Sequence, residues 1–471
     1  MSKIIFPIAL ALLFTVPVWA QQQARQMTLE EAVTYALTES IKIKNAQVGI
    51  ADAEQQIIER RAVGIPQLNG SVSYTRYLEV PRQPLPEGFN IFGIFGQALA
   101  VDLYDQLSED TQKAVDEAFG NVNGSSSSDG IAFFLPNNFT AALTLDAMIF
   151  DGSYFVGLRA AREYRKYTLV EFAAKKREVR NAVIEAYLPP LLLQENIGLL
   201  DKNITNLEKL LFETRQLYKE GFAEQLDVDR LELSLANLSV ERDNLLRQKE
   251  LSLTNLKYAI GYPLDEPLIV SDSLNTMITE ATDAELAMEV DLQRRPEYEL
   301  LGEAIQLNEL NIKLNKSGYL PSLRAFGNVQ QQYQGENLKD GFWAPSSYVG
   351  LSLNVPIFDG LNKKAKVQRA ELDLELARNQ QKDLGRAIQL EVKNARTNYF
   401  NASKRLESQK KNLALAEHIY ETTQVKYREG VGSSLETTQA EQSLYATQSN
   451  YIQALYDLLL AKARLDMAMG R

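Results

Sequence analysis

Residues 348–360 read YVGLSLNVPIFDG. Apolar side chains occupy alternate positions from Val349 to Ile357, with polar or small residues at several positions between them. A period of two predicts a β-strand with one apolar face and one polar face. The end of the stretch is repeated, because Ile357-Phe358-Asp359-Gly360 matches the earlier Ile149-Phe150-Asp151-Gly152. The chain therefore carries the same strand end twice.

A longer internal match indicates a tandem duplication. Residues 218–261 and 427–470 align without gaps at an offset of 209, and 12 of 44 positions are identical. Self-similarity at this scale is typical of repeated structural units. We predict a first half at 21–261 and a second half at 283–471, joined by a proline-containing linker at 262–282.

Residues 1–20 have the pattern of a secretory signal peptide. Lys3 precedes an apolar run from Ile4 to Val18, and Val18-Trp19-Ala20 forms a cleavage site before Gln21. The alternative is an N-terminal membrane anchor, but the run is short for a span of about 20 residues. We therefore expect an exported protein.

Composition excludes several classes of protein. The 471 residues include 50 Lys+Arg and 61 Asp+Glu, giving a net charge of −11, which argues against nucleic-acid binding. The mean hydropathy of −0.24 excludes a helical membrane protein with many spans. The absence of cysteine removes disulfides, zinc–cysteine sites and cysteine nucleophiles. Phosphate-binding, zinc-protease and serine-hydrolase motifs are also missing, so we predict no enzyme, no cofactor and no metal site.

The same order of elements is predicted in each half: a helix, two strands, a long helix and a shorter helix. Three of the four strands have 10–13 residues, near the length of a tilted membrane β-strand. A helix of 66 residues would be about 100 Å long, and Pro189-Pro190 should kink the first of the two. The predicted helices are 29–62, 153–218, 227–261, 284–316, 361–427 and 436–470; the strands are 68–80, 143–149, 323–333 and 348–357; the loops are 79–139 and 334–347.

The helices of the second half carry heptad repeats with many small residues at one core position. This pattern predicts coiled-coil packing rather than an ordinary bundle seam. The long helix has Val392, Tyr399, Leu406, Leu413, Tyr420 and Tyr427, with Ile388, Ala395, Ala402, Gln409, Ala416 and Thr423; the last helix has Leu444, Tyr451, Leu458 and Leu465, with Ala440, Thr447, Ala454, Ala461 and Ala468. The single histidine, His418, is interpreted as a surface residue of this region.

Four amphipathic strands cannot close into a barrel, yet an open sheet edge is not tolerated in a bilayer. The chain must therefore oligomerise, with two copies giving eight strands and three copies giving twelve. The alternative is a periplasmic coiled-coil adaptor or structural protein, which explains the heptads but not the strands.

The order of elements and several short motifs resemble the TolC-like outer-membrane efflux proteins. The motifs are Thr28-Leu29-Glu30-Glu31-Ala32, the strand starts at Ile65-Pro66 and Leu320-Pro321, the strand end at Pro356-Ile357-Phe358-Asp359-Gly360, and two Tyr-x-x-Gly turns. The resemblance implies a mainly α fold with membrane β-structure. Three copies would form a twelve-stranded barrel, four strands per chain, continued by an α-helical coiled-coil tunnel.

The resemblance also implies a function, a location and partners. The protein would be an export duct in the bacterial outer membrane with a large periplasmic domain. It would serve a tripartite efflux or type I secretion system and pass small molecules or proteins. Its partners would be two further copies, a periplasmic adaptor (membrane fusion protein), an inner-membrane transporter and outer-membrane lipid, with no nucleic acid.

In this family the pore closes at the helix tips, which correspond to residues 218–227 and 427–436. The two acidic positions of the entrance map to Glu436 and Gln439, so one carboxylate is kept and one is replaced by an amide. A bond that holds the tip shut maps to Tyr427 and Asp227. The arginine that joins this lock maps to Gly432, so we expect a weaker or different latch. A solvated helix turn is the alternative interpretation.

Basic residues cluster after the second strand of each half. A solvated helix face is the favoured interpretation, and contact with lipid phosphates is the alternative. The clusters are Arg159, Arg162, Arg165 and Lys166, and Lys363, Lys364, Lys366 and Arg369.

Overall fold

The computed structural model describes residues 24–83, 106–120, 131–132, 135–278, 282 and 286–471. The expected signal peptide, most of the expected 79–139 loop and part of the 262–282 linker lie outside these residues. The helices are α1 Leu29–Glu39, α2 Ile41–Ala62, α3 Glu109–Gly120, α4 Gly152–Lys219, α5 Gln225–Ile260, α6 Pro296–Ser317, α7 Asn362–Arg428 and α8 Ser434–Ala468. The strands are β1 Arg25–Met27, β2 Gln67–Arg76, β3 Arg82–Gln83, β4 Ile131–Ala132, β5 Asn137–Asp151, β6 Leu268–Val270, β7 Ser322–Gly335 and β8 Gly341–Asn354.

The described residues form two compact units. One unit takes its residues from 1–58, 159–313 and 364–471, and the other takes them from 59–158 and 314–363. Each unit combines segments from both predicted halves, so the boundaries at 261 and 283 stay predictions. The element order is nevertheless the same in the two halves, with α2, β2, β5, α4 and α5 followed by α6, β7, β8, α7 and α8.

The second unit contains a four-stranded antiparallel sheet in the order β2-β5-β7-β8. The four strands predicted from alternation are confirmed. Within the described residues, β2 and β8 each have a partner on one side only. Several boundaries differ from the prediction: β2 ends at Arg76 instead of residue 80, and β5 begins at Asn137 instead of residue 143. β8 begins at Gly341, so Trp343 lies in a strand and not in the expected 334–347 loop, and it ends at Asn354, two residues before Pro356.

The register of these strands gives the sheet an apolar face and a polar face, because side chains alternate along each strand. The apolar face is exposed in the single chain, and Val349 is the extreme case at 88%. Its large members are Leu68, Val72, Leu143, Leu145, Val329, Val349, Leu351 and Leu353. The polar face carries Asn69, Ser71, Ser73, Asn138, Thr140, Thr144, Asn328, Gln330, Gln332 and Ser352.

An aromatic row ends the apolar face. Pairing places Tyr74 beside Phe139, Phe139 beside Tyr333, and Tyr333 beside Trp343. The ring centroids of Tyr333 and Trp343 are 5.3 Å apart, and those of Phe139 and Trp343 are 5.9 Å apart. The Tyr74 hydroxyl donates to Asn137 Oδ1 at 2.8 Å. Each of the four strands thus contributes one ring at the same level.

The first unit is helical, and its four main helices come in matched pairs of 68 and 67 residues, α4 and α7, and of 36 and 35 residues, α5 and α8. The predicted heptad core is confirmed over much of its length. Ile388, Val392, Tyr399, Leu458 and Leu465 are buried together in one apolar cluster. α4 is assigned as a continuous helix through Pro189 and Pro190, and the expected kink stays a prediction.

Two predicted helices differ from the structure by more than two residues at an end or by an interruption. The helix expected at 29–62 is interrupted at Ser40, where the backbone lies so close to Gly261 that a Cβ on this glycine would be 3.2 Å from Ser40 Cα. The helix expected at 284–316 begins at Pro296. Proline is well suited to a first helical position, since it has no backbone N–H to leave unsatisfied there.

Candidate functional site

Two helix turns carry the predicted gate residues: the α4–α5 turn (residues 218–226) and the α7–α8 turn (residues 427–435). In the first turn, Phe222 N donates to Leu217 O at 2.8 Å, and Gly221 has a φ of 79°. In the second, Val431 N donates to Lys426 O at 3.0 Å, and Gly430 has a φ of 76°. Glycine adopts positive φ without the steric cost that other residues incur. This explains the glycine of the Tyr-x-x-Gly motif at both turns.

Side chains cap the helices that leave these turns. At the start of α5, Asp227 Oδ2 accepts a hydrogen bond from Glu224 N at 3.2 Å. At the start of α8, Ser433 Oγ accepts from Glu436 N at 3.2 Å. Such caps satisfy amide groups that have no partner inside the helix. Asp227 is therefore held by its own helix start.

Tyr427 and Asp227 do not form the expected bond with each other in the described structure. The Tyr427 hydroxyl lies 3.3 Å from Thr214 Oγ1 of α4, within hydrogen-bond distance. Its ring packs against the apolar cluster of Leu207, Leu210, Leu211, Val228 and Leu231. Asp227 Oδ1 instead accepts a hydrogen bond from Ser434 Oγ of α8. Sequence reasoning missed Thr214 and Ser434, whose hydroxyls have no distinctive spacing in the chain.

Glu436 and Gln439 lie in the first two turns of α8, and both are exposed. Residues three apart lie on the same side of a helix, so the carboxylate and the amide are neighbours. The structure thus places the four predicted gate residues in, or within four residues of, the two turns.

Gly432 packs tightly against the end of α7. A Cβ at this position would lie 3.1 Å from both Lys426 Cβ and Tyr427 N. The Gly432 amide also donates to Lys426 O at 3.1 Å. Any side chain would have to displace these neighbours, which gives a physical reason why arginine does not stand here.

A polar patch is buried in the first turns of α8, formed by Ser434, Thr437, Thr438 and Glu441. Thr438 Oγ1 is buried without a hydrogen-bond partner. Burial raises the pKa of Glu441, which is 7% exposed, to about 7. The pKa of Tyr420, on α7, is raised to about 12. Burial is the larger cause, and the negative charge of Glu441 is the second. Sequence reasoning missed Glu441, although its place between Ala440 and Leu444 is a signal that it lies on the core face.

Other parts of the described chain offer fewer candidates. No group of three or more His, Asp or Glu residues is placed there to bind a metal ion. None of its helices is both long enough and apolar enough to cross a membrane. Within the basic clusters, Arg165 pairs with Glu54 at 2.7 Å and Lys166 with Glu163 at 2.8 Å.

Comparison with known proteins shows which class of protein this chain is similar to. Residues 292–471 match the family described as outer membrane efflux protein. TolC of Vibrio cholerae is 25% identical over 346 residues, covering 70% of this chain and 76% of that protein. The alkaline protease secretion protein AprF of Pseudomonas aeruginosa is 22% identical over 341 residues, covering 71% and 70%.

The fold agrees with these matches. The crystal structure of the outer membrane protein VceC from Vibrio cholerae superposes with a TM-score of 0.66 at 15% identity, covering 94% of this chain and 96% of that one. These matches support the resemblance to the TolC-like outer-membrane efflux proteins that the motifs predicted. The expected resemblance and the outer-membrane location are thereby confirmed.

Proposed function

We propose that the chain is the outer-membrane channel of a tripartite efflux or type I secretion system and that it acts as a homotrimer. The observation that carries this proposal is the two-faced sheet with two unpaired edges. The family assignment supports an efflux duct in general terms. The sheet supports the particular architecture of a barrel built from several chains.

The apolar face has the height that an outer-membrane barrel needs. From the row of Leu323 and Leu353 to the row of Tyr333 and Trp343 there are ten residue steps along β7. At about 3.4 Å per residue and a strand tilt of about 45°, this corresponds to roughly 24 Å. Apolar bands of membrane barrels are about 25 Å tall and end in aromatic girdles. The apolar face would meet lipid, and the polar face would line the duct.

The unpaired edges of β2 and β8 favour assembly with further copies. Backbone groups left without partners in lipid cost several kcal/mol each, so the strands of a membrane sheet must close. If β8 of one copy pairs with β2 of the next, three copies close a barrel of twelve strands. The paired helices α4/α5 and α7/α8 would then form the wall of a twelve-helix periplasmic tunnel, gated at the α4–α5 and α7–α8 turns.

The proposed duct is compatible with both efflux and protein secretion. AprF is named for the secretion of a protease, whereas the family is described by efflux. A duct of this kind has no catalytic residue and no cofactor, and its direction is set by its partners. These partners would be a periplasmic adaptor and, through the adaptor, an inner-membrane transporter.

Native mass measurement in detergent, followed by recording in planar bilayers, tests the proposal. We expect extraction from outer membranes only with detergent, a stable trimer, and discrete channel currents. A stable monomer that gives no currents would contradict the proposed duct. Release of the protein without detergent would instead favour the periplasmic coiled-coil adaptor.

A further inference from the structure

We propose that two separate hydroxyl bonds hold the helix tips closed, one between Thr214 and Tyr427 and one between Ser434 and Asp227. This inference rests on the proposed function, because it assigns the latch of the same gate. It replaces a single Tyr427–Asp227 lock with two contacts that act in parallel.

Each bond joins one helical hairpin to the other. The α4/α5 hairpin supplies Thr214 and Asp227, and the α7/α8 hairpin supplies Tyr427 and Ser434. The first bond therefore links the two long helices, and the second links the two shorter ones. Opening of the tip by separation of the hairpins would break both bonds.

Burial makes these hydroxyls effective latch groups. Thr214 is 0% exposed and Ser434 is 5% exposed, so neither can exchange its partner for water while the hairpins are packed. A buried polar group that loses its partner is penalised until water reaches it. The two bonds thus favour the packed state and are released together with it.

The start of α5 orients the Asp227 carboxylate for the second bond. Its Oδ2 accepts from Glu224 N at the start of α5, which orients the carboxylate and leaves Oδ1 for Ser434. A hydrogen bond from a hydroxyl to a carboxylate is stronger than one to a neutral acceptor. Ser434, the residue after the helix cap Ser433, supplies the hydroxyl from α8. This hydroxyl takes the place of the arginine expected at position 432, where the chain has glycine.

The test is the resting conductance of reconstituted channels. Thr214→Val and Ser434→Ala should each raise the open fraction by about fivefold, the equivalent of one lost hydrogen bond. Thr422 and Ser443 are exposed residues of the α7/α8 hairpin. Thr422→Val and Ser443→Ala are therefore matched controls and should leave the open fraction unchanged. Thr214→Ser and Ser434→Thr keep a hydroxyl and should restore low conductance, which separates the bond from general packing.

Double-mutant cycles decide which residues are partners. Tyr427→Phe should have no further effect in the Thr214→Val background, and Asp227→Asn should have less effect after Ser434→Ala. The effects of Tyr427→Phe and Asp227→Asn on the open fraction should multiply, because the two variants act on different bonds. Coupling between Tyr427 and Asp227 with silent Thr214 and Ser434 variants would overturn the two-bond latch.

Glu436→Gln distinguishes failure of the latch from failure of the proposed function. If this variant changes ion selectivity while the Thr214 and Ser434 variants leave conductance unchanged, the two-bond latch is contradicted. The proposed channel function is then still supported. If the wild-type protein forms no channel, both proposals fall.

Discussion

At the scale of single residues, charge at the start of α8 should control ion passage. Glu436 is exposed there, and three copies around an axis would place three carboxylates together. Such a ring creates a negative potential that attracts cations. We expect Glu436→Gln to lower cation preference in single-channel recordings, and Gln439→Asp to raise it and strengthen block by trivalent ions. Glu417→Gln, an exposed change on α7, is the control. Unchanged selectivity in both α8 variants would place the constriction elsewhere.

Glu441 should make the closed tip dependent on pH. Burial raises its pKa to about 7 from an ordinary value of 4.5, so the packed state favours the neutral acid. This stabilisation is fully present below about pH 4.5 and is lost as the pH rises to about 7. Tyr420 faces Glu441 from α7, and a neighbouring cavity of about 280 Å³ is lined by the charged Lys209, Glu213, Glu417, Glu421 and Arg428.

The expected result is a resting conductance that increases between pH 5 and pH 7. Glu441→Gln, which is neutral at every pH, should keep the low-pH conductance throughout this range. Glu375→Gln, which changes an exposed carboxylate of α7 outside this cavity, should keep the wild-type profile. A wild-type profile in Glu441→Gln would show that another group titrates with the gate.

The resemblance to a known family supplied the predicted gate residues, but it did not supply their partners in this structure. Asp227, Tyr427, Glu436 and Gln439 stand at fixed places relative to two recognisable turns. The partner of a side chain depends instead on how each helix is rotated, and this is set by packing of the Tyr427 ring against the cluster around Leu207. Thr214 lies 13 residues before Asp227 in the chain, and no local pattern identifies it.

At the scale of secondary structure elements, the heptad core of α8 should be essential for assembly. Leu458 is buried against Ile388, Val392 and Tyr399, and Leu444 is buried in a separate cluster with Tyr420. Leu458→Asp or Leu444→Asp would bury an unpaired charge, which typically costs several kcal/mol. We expect the amount of assembled protein in outer membranes to fall sharply in both variants.

Ser443→Asp provides the control for the α8 variants. It adds the same charge to the same helix at an exposed position next to Leu444. Assembly should therefore remain near the wild-type level. Normal assembly of Leu444→Asp and Leu458→Asp would contradict the heptad assignment.

Long periodic elements were predictable, whereas interruptions and strand ends were less so. The 67-residue α7 follows directly from its heptads, and its bounds differ from the prediction by one residue at each end. The break at Ser40 coincides with the close approach of the distant Gly261, whereas α6 begins at Pro296, a local signal that the prediction overlooked. The first part of β8 was missed because the run from Phe342 to Ser347 lacks clear alternation and contains Pro345, a residue usually confined to edge strands.

At the scale of the whole molecule, the helices and the sheet differ in which side chains they expose. The helices bury an apolar seam and expose charged side chains, as they do in water. The sheet of β2, β5, β7 and β8 leaves its apolar face exposed and turns amides and hydroxyls to the other face, with Asn328 Nδ2 donating to Thr144 Oγ1 at 2.9 Å. The two patterns together explain a mean hydropathy near that of a water-soluble protein.

The assignment of the two sheet faces leads to a prediction about membrane insertion. Val349 lies near the middle of the apolar face of β8, and Ser352, three residues later, lies on the polar face. Arginine on the lipid side of a barrel costs about 2–4 kcal/mol near the bilayer centre, so a trimer would lose roughly 6–12 kcal/mol. Val349→Arg should therefore abolish insertion, as measured by the yield of trimer in outer membranes.

Ser352→Arg should be tolerated, because an arginine on the polar face would remain in water inside the duct. It should also reduce cation conductance, since it adds three positive charges to the wall. The pair separates lipid contact from a general loss of strand stability, because both variants introduce the same residue into the same strand. Normal insertion of Val349→Arg together with failed insertion of Ser352→Arg would mean that the polar face meets lipid and that the proposed barrel is built the wrong way round.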